Sequence, residues 1–478
     1  MYMKHLLTIF FTAFILFGYL FSGCTDDNGA GQVRLRFSAD TLSYDTVFST
    51  IGSTTAWITI YNTENHDVTI DEVCLQSLGQ SGFRINLDGE SLVSFTDVEI
   101  PARDSLFLFV ELTAPVQQSN QPVFLEDAVL FKTAEGYQQI VLEAWCWDAE
   151  IWHGKTILAD TTLTADKPII VYDSLFVAEN VTLTMNEGTT LYMHDGGRVL
   201  VDGTIKAKGS LQNPVTFRGD RLDDIYTGLS YDQVPGQWYY IQLKESSFNN
   251  EFDHVNIRGG YYGVVADSSS TDQVKLTLTN SVIHNAVYSC LYSVSNQMTV
   301  SNSELSNSGS YTVCIIGGKV VFTHCTIANQ MEWLVRDGYT LVLANYTQDA
   351  QENELPFPLE AEFRNTLVYG NQSEEIGLAL SDNELITGDV KFRFCLLRTR
   401  TDLGDMVEAC NCNPSTAGFL KSSSVEDGSY TYDFRIGSLS PARDVASVVY
   451  SADFPYDLTG KSRFEDSGPD IGAYEFQE

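Results

Sequence analysis

The residues best suited to chemistry are concentrated in one stretch, 219–243, which reads GDRLDDIYTGLSYDQVPGQWYYIQL. Its acidic and aromatic side chains include Asp220, Asp223, Asp224, Asp232, Trp238, Tyr239 and Tyr240. Aromatic rings stack on the faces of sugars, and carboxylates bind sugar hydroxyls or calcium. This composition predicts a glycan-binding surface. No cofactor is assigned to it, and calcium is the candidate that its carboxylates could bind. The alternative is a loop that Trp238 packs onto the rest of the fold.

Three more candidates, Arg258, Tyr261 and Tyr262, follow shortly after this stretch. The two tyrosines could extend the aromatic platform. Arg258 could face Asp223 or Asp224 across a groove, as a polysaccharide-cleaving enzyme would require. Lyases use a basic residue beside calcium-bound carboxylates, and hydrolases use two or three carboxylates around one cleft. No Walker loop, GxGxxG, HExxH, GxSxG or zinc-ligand spacing occurs, so no catalytic residue is assigned.

A repeat predicts the elements that position these residues. The segments LTLTNSVIHN (276–285), MTVSNSELSN (298–307) and VVFTHCTIAN (320–329) align in steps of 22 residues. Related segments are EFDHVNIRGG (251–260), EFRNTLVYGN (362–371) and KFRFCLLRTR (391–400). The centre of each segment is a bend at which asparagine side chains can stack from rung to rung. Short strands repeating at this period predict a right-handed parallel β-helix.

Fixed offsets from the bend predict which side chains point into the coil, because strand side chains alternate between faces. Apolar residues occur two positions before the bend, at Phe252, Leu278, Val300, Phe322, Phe363 and Phe392. Mostly small residues occur one position after it, at Val255, Ser281, Ser303, Cys325, Thr366 and Cys395. We therefore expect the cysteines of this column to be buried free thiols, with a disulfide between stacked rungs as the alternative.

Two segments resemble known β-helix proteins. VTLTMNEGTTLYMHDGGRVLVDGTIKAKGSLQNPVTFRGD (181–220) resembles the opening coils of bacterial β-helix proteins. SPARD and DLTGKSRFEDSGPDIGAYEF, within 437–476, resemble the terminal block of β-helix surface proteins from Bacteroidetes. The likeness implies that 149–478 is a β-helix with a C-terminal cap. Members of this family share an architecture and an export route rather than one reaction, so no catalytic residue is transferred.

Residues 33–148 are predicted to form a separate β-sandwich. Segments such as TAWITIYN and SLFLFVEL alternate apolar and polar residues, which is typical of half-buried strands. The number of strands suits a single sandwich. TIYNTENHDVTIDEV is similar to immunoglobulin-like modules, which implies a spacer or a partner-binding domain.

Residues 1–23 are predicted to be a lipoprotein signal peptide. A short basic start is followed by an apolar run, 6–21, which is too short to span a membrane. Phe21-Ser22-Gly23-Cys24 resembles a bacterial lipobox, which implies acylation of Cys24 and anchorage in a lipid bilayer. Residues 24–32 would form a tether. Its Thr25-Asp26-Asp27 is similar to the export tag of Bacteroidetes surface lipoproteins, which implies an outer-membrane protein facing outward.

The charge narrows the choice of partners. The chain has 28 basic and 63 acidic residues, a net charge of −35. Such a surface repels phosphate backbones, so nucleic acid is excluded as a partner. Three functions remain: a surface lipoprotein that binds a polysaccharide or another envelope component, a polysaccharide lyase or glycoside hydrolase, and a structural spacer.

Overall fold

The computed structural model describes residues 34–134, 136–226, 228–425 and 431–477. The predicted signal peptide, the Cys24 lipidation site and the tether lie outside these residues. The described chain divides into two compact units. One contains the residues up to Pro115 with Phe124–Cys146, and the other contains Val116–Val123 and the chain from Trp147 onward.

The first unit consists of two five-stranded sheets whose inner faces share one hydrophobic core. One sheet contains, in spatial order, Arg36–Phe37, Ala56–Tyr61, Ser105–Leu112, Phe83–Leu87 and Glu90–Leu92. The other contains Thr41–Phe48, Gly136–Trp147, Val123–Thr133, Val68–Leu75 and Ser94–Ile100. Alternating side chains, such as Ile58 and Ile60, enter the core because the strand period is two. The predicted β-sandwich is confirmed.

The second unit is a parallel β-helix of 26 strands, in which each strand pairs in parallel with a strand one turn later along the chain. Three sheets, which we call faces A, B and C, run along the coil. Face A contains residues 150–153, residues 169–172, Thr190–Met193, Val215–Gly219, Val255–Arg258, Val282–Ala286, Glu304–Ser308, Thr326–Asn329, Leu367–Gly370, Leu396–Leu397 and Asn411–Cys412.

Face B follows face A within each turn, and face C follows face B. Face B contains residues 155–157, residues 174–177, Arg198–Val201, Ile241–Leu243, Tyr262–Ala266, residues 289–294, residues 313–316, Leu341–Ala344 and Ile376–Ala379. Face C contains Thr161–Leu163, Thr182–Met185, Thr204–Lys208, Asn250–Asp253, Val274–Thr279, residues 296–301, residues 318–323, Leu359–Arg364, Gly388–Arg393 and Val407–Glu408. The strands Glu150–Ile157 and Ile169–Val177 serve faces A and B, whereas Ser289–Ser301 and Val313–Thr323 serve faces B and C.

The remaining elements lie outside the three faces. Short antiparallel hairpins join Asp224–Tyr226 to Leu229–Ser230, Tyr346–Gln348 to Glu354–Pro356, and Phe419–Lys421 to Asp433–Ile436. The helices of the described residues are the 3-10 turns Tyr231–Gln233 and Gly404–Met406 and one α-helical turn, Val448–Ser451.

The interior of the coil confirms the predicted columns. The residues two positions before the bend are fully buried, and three of their rings stack on consecutive turns. The Phe322 and Phe363 centroids are 4.8 Å apart, and those of Phe363 and Phe392 are 5.0 Å apart. These distances match the spacing of neighbouring strands, so the stack is a direct result of the parallel register.

The bend between faces C and A is a left-handed residue on every repeated turn. Its φ is 49° at Asn280, 46° at Asn302, 52° at His324 and 48° at Asn365. Asparagine adopts this conformation more readily than most residues. The predicted side-chain stacking is confirmed, because Asn302 Nδ2 donates to Asn280 Oδ1 at 2.8 Å.

The small residues that follow the bend form what we call the turn ladder: Ser281, Ser303, Cys325, Thr366, Cys395 and Cys410. Each donates its hydroxyl or thiol to the carbonyl oxygen two residues earlier. Some also accept from the backbone of the preceding turn, as when the Ser281 amide donates to Ser303 Oγ at 3.1 Å. The eight described cysteines are free, and Cys325 and Cys395 of the predicted column are fully buried as expected.

The C-terminal segment packs against the same bends. Arg463 Nη2 donates to Asn302 Oδ1 at 2.6 Å, and its Nη1 donates to Glu475 Oε1 at 2.5 Å. Ser451 Oγ lies 2.8 Å from His324 Nε2. Arg463 is fully buried and Glu475 is almost fully buried. The segment that resembles a terminal block therefore closes over the bends of the coil, and its Arg463–Glu475 pair is buried there.

Candidate functional site

Six tyrosines form a continuous run of rings where face A turns into face B. We call Tyr239, Tyr240, Tyr261, Tyr262, Tyr288 and Tyr292 the tyrosine strip. Neighbouring centroids are 6.0 Å apart for 239 and 240, 5.6 Å for 239 and 261, 6.0 Å for 261 and 288, 5.2 Å for 262 and 288, and 6.2 Å for 262 and 292. Four of the six are predicted site residues, so the structure brings the predicted aromatic platform together.

Backbone pairing between turns places these rings side by side. The Tyr262 amide donates to Tyr239 O at 2.9 Å, and the Tyr288 amide donates to Tyr261 O at 2.8 Å. Each turn advances along the coil by one strand spacing, about 4.8 Å, so rings at the same corner must meet. Tyr239 and Tyr288 are 38% and 47% exposed, and the other four are partly buried. The strip therefore offers aromatic surface to a ligand.

The hydroxyl groups of Tyr262 and Tyr292 stay protonated near neutral pH. Burial raises the pKa of Tyr262 and that of Tyr292 above the usual value. Neutral phenols donate and accept hydrogen bonds, which suits sugar hydroxyls. The guanidinium of Arg198 lies 5.8 Å from the centroid of Tyr239 and adds a positive charge to this end of the strip.

Trp238 does not belong to the strip. Its side chain is fully buried in the core of the coil, and its Nε1 donates to Arg258 O at 2.9 Å. The prediction that Trp238 contacts a glycan is therefore corrected, because no face of its ring is open. The alternative prediction holds instead: Trp238 anchors the end of the loop to its neighbours.

The arrangement that would support the enzymatic alternative, with Asp223 or Asp224 opposite Arg258, is not formed. Asp223 accepts from Arg221 Nε at 2.7 Å and from Arg221 Nη2 at 2.6 Å. Asp224 is exposed on the Asp224–Tyr226 hairpin strand. Arg258 is instead paired with Asp232, whose Oδ1 lies 2.7 Å from Arg258 Nε. Neither predicted carboxylate faces Arg258, so the pair required for lyase or hydrolase chemistry is not formed there.

Asp232 joins the loop to face A. Its Oδ1 also lies 3.1 Å from Arg218 Nη2, so two guanidinium groups share one carboxylate oxygen. Burial raises the pKa of Asp232, but the charges of Arg258 and Arg218 outweigh burial and the pKa is lowered. Burial and the charge of Arg258 lower the pKa of the adjacent His284 to about 4. The imidazole is therefore neutral, and the cluster carries a net charge of about +1 near neutral pH.

A second polar cluster precedes the strip on face A, and the sequence reasoning did not single it out. His194 Nδ1 lies 2.6 Å from Asp220 Oδ2. The His194 ring stacks on Tyr172 at 4.0 Å, and Tyr172 lies 4.7 Å from the ring of His153. Burial raises the pKa of Asp220. The shared side-chain position on three consecutive turns is the signal that could have identified this cluster.

The described acidic residues of this region do not converge on one point that could hold calcium. Asp220, Asp223 and Asp232 are each held by a neighbouring histidine or arginine, and Asp224 is exposed on the hairpin. Within the described residues, no group of three or more histidine, cysteine or acidic side chains is placed to hold a metal ion. The donors that are present therefore do not fit a calcium ion.

Sequence reasoning also missed Tyr288 and Tyr292. They occur in NAVYSCLYSV, one turn after Tyr261 and Tyr262. The turn of the coil from Tyr262 to its partner Ser289 is longer than the 22-residue repeat, so a search at a fixed step misses both tyrosines.

The helices of the described chain are all too short to cross a bilayer.

Comparison with known proteins does not assign the chain to a family. No protein-family model matches the sequence. No curated protein matches it either.

Segments of solved structures do show local similarity. One belongs to a family 123 glycoside hydrolase from Clostridium perfringens, with a TM-score of 0.17, 8% identity, and coverage of 24% of this chain and 26% of that chain. A second belongs to a protein of unknown function from Porphyromonas gingivalis, with a TM-score of 0.18, 14% identity, and coverage of 26% of this chain and 60% of that chain. A third belongs to the VesB protease of Vibrio cholerae, with a TM-score of 0.16, 12% identity, and coverage of 23% of this chain and 31% of that chain. The chain thus spans 26% to 60% of these structures, and likeness at this level identifies neither a family nor an activity.

Proposed function

We propose that this protein is a lipid-anchored surface protein whose β-helix binds a glycan on the tyrosine strip. The observation that supports this proposal is the unbroken run of six rings across three consecutive turns. A chain of sugars lying along the coil could stack on successive rings and exchange hydrogen bonds with their hydroxyl groups. Exposed aromatic surface arranged in this way is typical of a recognition site.

Binding is favoured over cleavage by the state of the nearby acids. A glycoside hydrolase needs two carboxyl groups on either side of the scissile bond. The loop carboxylates of Asp223 and Asp232 are engaged by arginines. A structural spacer, the third alternative, has no need of an aromatic strip.

Anchorage rests on the sequence around Cys24. The proposal places the acylated cysteine in the outer membrane, with the β-helix facing outward, where envelope or environmental polysaccharides are available. The wide excess of acidic residues keeps such a protein soluble and disfavours nucleic acid as a partner.

Binding can be tested with the chain from residue 25 onward and a panel of immobilised neutral and acidic polysaccharides. We expect Tyr261→Ala combined with Tyr288→Ala to weaken binding roughly tenfold to a hundredfold, since each stacked ring contributes about 0.5–1.5 kcal/mol. Tyr137→Ala removes an exposed ring from the first unit and serves as the matched control. Equal binding by the double variant and the control would rule out the strip as the site.

The same incubations test the enzymatic alternative. Chromatography of the soluble glycans, with calcium added, would reveal shortened chains if the protein were a lyase or hydrolase. Products that persist in the double tyrosine variant would place the cleaving site elsewhere.

A further inference from the structure

The two arginines of face A form a carboxylate site that is occupied by the protein's own loop. Arg218 and Arg258 follow the paired residues Phe217 and Ile257 on adjacent strands, so their side chains emerge side by side. Their side chains are only 15% and 17% exposed. Two guanidinium groups that lie side by side match a carboxylate in charge and geometry.

The occupying carboxylate is not part of the face itself. Asp232 lies on the 3-10 turn Tyr231–Gln233, within the insertion that joins Val215–Gly219 to Ile241–Leu243. Gly228 and Gly236, with φ of 89° and 88°, stand on either side of this turn. Glycine adopts such angles at little cost, so these two positions set the path of the segment 229–235.

The cluster holds more positive than negative charge. Two arginines share a single oxygen of Asp232, and His284 beside them is neutral. A buried excess of positive charge favours an additional or a better-placed anion. A ligand carboxylate could offer both oxygens to the two guanidinium groups, whereas Asp232 offers one.

The site is continuous with the tyrosine strip. Arg258 is three residues before Tyr261, which limits the separation of their backbones to about 10 Å. Trp238 contacts both, because its Nε1 donates to Arg258 O and its carbonyl accepts from the Tyr261 amide at 2.7 Å. A glycan lying on the strip would therefore reach the arginines with the next sugar or two.

We propose that Arg218 and Arg258 are a subsite for the carboxylate of an acidic sugar, and that Asp232 occupies this subsite until the ligand displaces it. The inference rests on the proposed glycan-binding function and specifies its ligand as a uronate-containing polysaccharide. The net charge of −35 repels such a polymer at long range, but this repulsion is screened within about 8 Å at physiological ionic strength. The local arginines then select the acidic sugar.

The test compares binding of polygalacturonate and of a neutral β-glucan. A tethered competitor reduces the fraction of open sites, so Asp232→Asn should bind polygalacturonate at least tenfold more tightly than the wild type. Adding Arg258→Gln to this variant should abolish the gain. Asp224→Asn changes the charge of the same loop by the same amount, at a residue that has no part in the site, and should leave binding unchanged. Binding of the neutral glucan should be equal in all four proteins.

The outcomes distinguish the carboxylate subsite from the wider glycan-binding function. A gain confined to Asp232→Asn and to polygalacturonate supports the subsite. Neutral binding without that gain overturns the subsite and leaves the glycan-binding function intact, with Asp232 as a structural clamp. Failure of every protein to bind either polymer overturns both.

A second measurement does not depend on the variant folding. Amide hydrogen exchange of residues 229–234 in the wild-type protein should become faster when polygalacturonate is added, because Asp232 leaves its site. Unchanged exchange at saturating polymer would contradict displacement.

Discussion

Glu475 of the C-terminal cap should make the stability of the coil depend on pH in the opposite sense to ordinary acid unfolding. Its carboxylate accepts from Arg463 at 2.5 Å and from the Asp470 amide at 3.1 Å. Its own amide donates to Asp457 Oδ2 at 2.8 Å. Burial raises the pKa of Glu475 from 4.5 to about 7, because the attraction of Arg463 does not fully offset desolvation and the nearby charge of Asp470.

The sign follows from proton binding. Between pH 4.5 and pH 7 the folded state holds a proton on Glu475 that the unfolded state has lost, so stability falls as the pH rises through this range. Each pH unit between the two pKa values corresponds to about 1.4 kcal/mol, which gives a total of about 3 kcal/mol. Glutamine resembles protonated glutamate in shape and charge. Glu475→Gln should therefore match the wild type at pH 4.5 and exceed its stability by about 3 kcal/mol at pH 8.

Calorimetry at several pH values between 4.5 and 8 measures this difference. About 3 kcal/mol should separate the two transition temperatures by about 5 °C at pH 8. Glu465→Gln, an exposed position in the same segment, removes the same charge without the burial and should show no such trend. A difference between Glu475→Gln and wild type that stays constant with pH would refute the assignment of the shifted carboxyl to the cap.

Three further changes test the fold and the anchor. Ile327→Asp places an unpaired charge in the closed interior, so the transition temperature should fall sharply; an unchanged value would contradict the register of the turns. Phe363→Ala removes the middle ring of the interior stack and should cost about 3–5 kcal/mol in unfolding measurements, whereas the exposed Phe464→Ala should cost little; equal losses would argue against the stack. Cys24→Ala should release the protein from the membrane fraction of cells, and its retention there would exclude anchorage through this residue.

The coil could be predicted from sequence because its rules are local and repeated. Asn280, Asn302 and Asn365 recur at a bend that only a few residue types accept, and their neighbours alternate between interior and surface. The interior columns follow from that alternation alone. The fold class was therefore predictable in detail, down to the side-chain hydrogen bonds between successive bends.

The site was predictable only in part. Tyr239 and Tyr261 follow the repeat, so their approach could be anticipated. Trp238 belongs to the same run of aromatic letters, but its burial depends on the bend of an insertion that has no period. The carboxylate that pairs with Arg258 could not be predicted for the same reason, since loop conformation decides between Asp223 and Asp232.

The burial of charged residues in the C-terminal cap could not be predicted from the sequence. Arg463 and Glu475 are residue types that normally lie at the surface, and nothing in their spacing indicates burial. Their environment depends on the bends that they cover, which come more than a hundred residues earlier in the chain. Such long-range partners cannot be read from local pattern.

The turn ladder also bears on how such a protein can change its length. Ser281, Ser303 and Thr366 each satisfy the same kind of backbone group on the same side. Duplication or loss of one complete turn would therefore preserve these hydrogen bonds. Longer turns are also tolerated, because Cys325 and Thr366 both belong to the ladder although the hairpin of Tyr346–Gln348 and Glu354–Pro356 lies between them. A ligand surface carried on the turns would therefore grow or shrink by about 4.8 Å for each turn gained or lost.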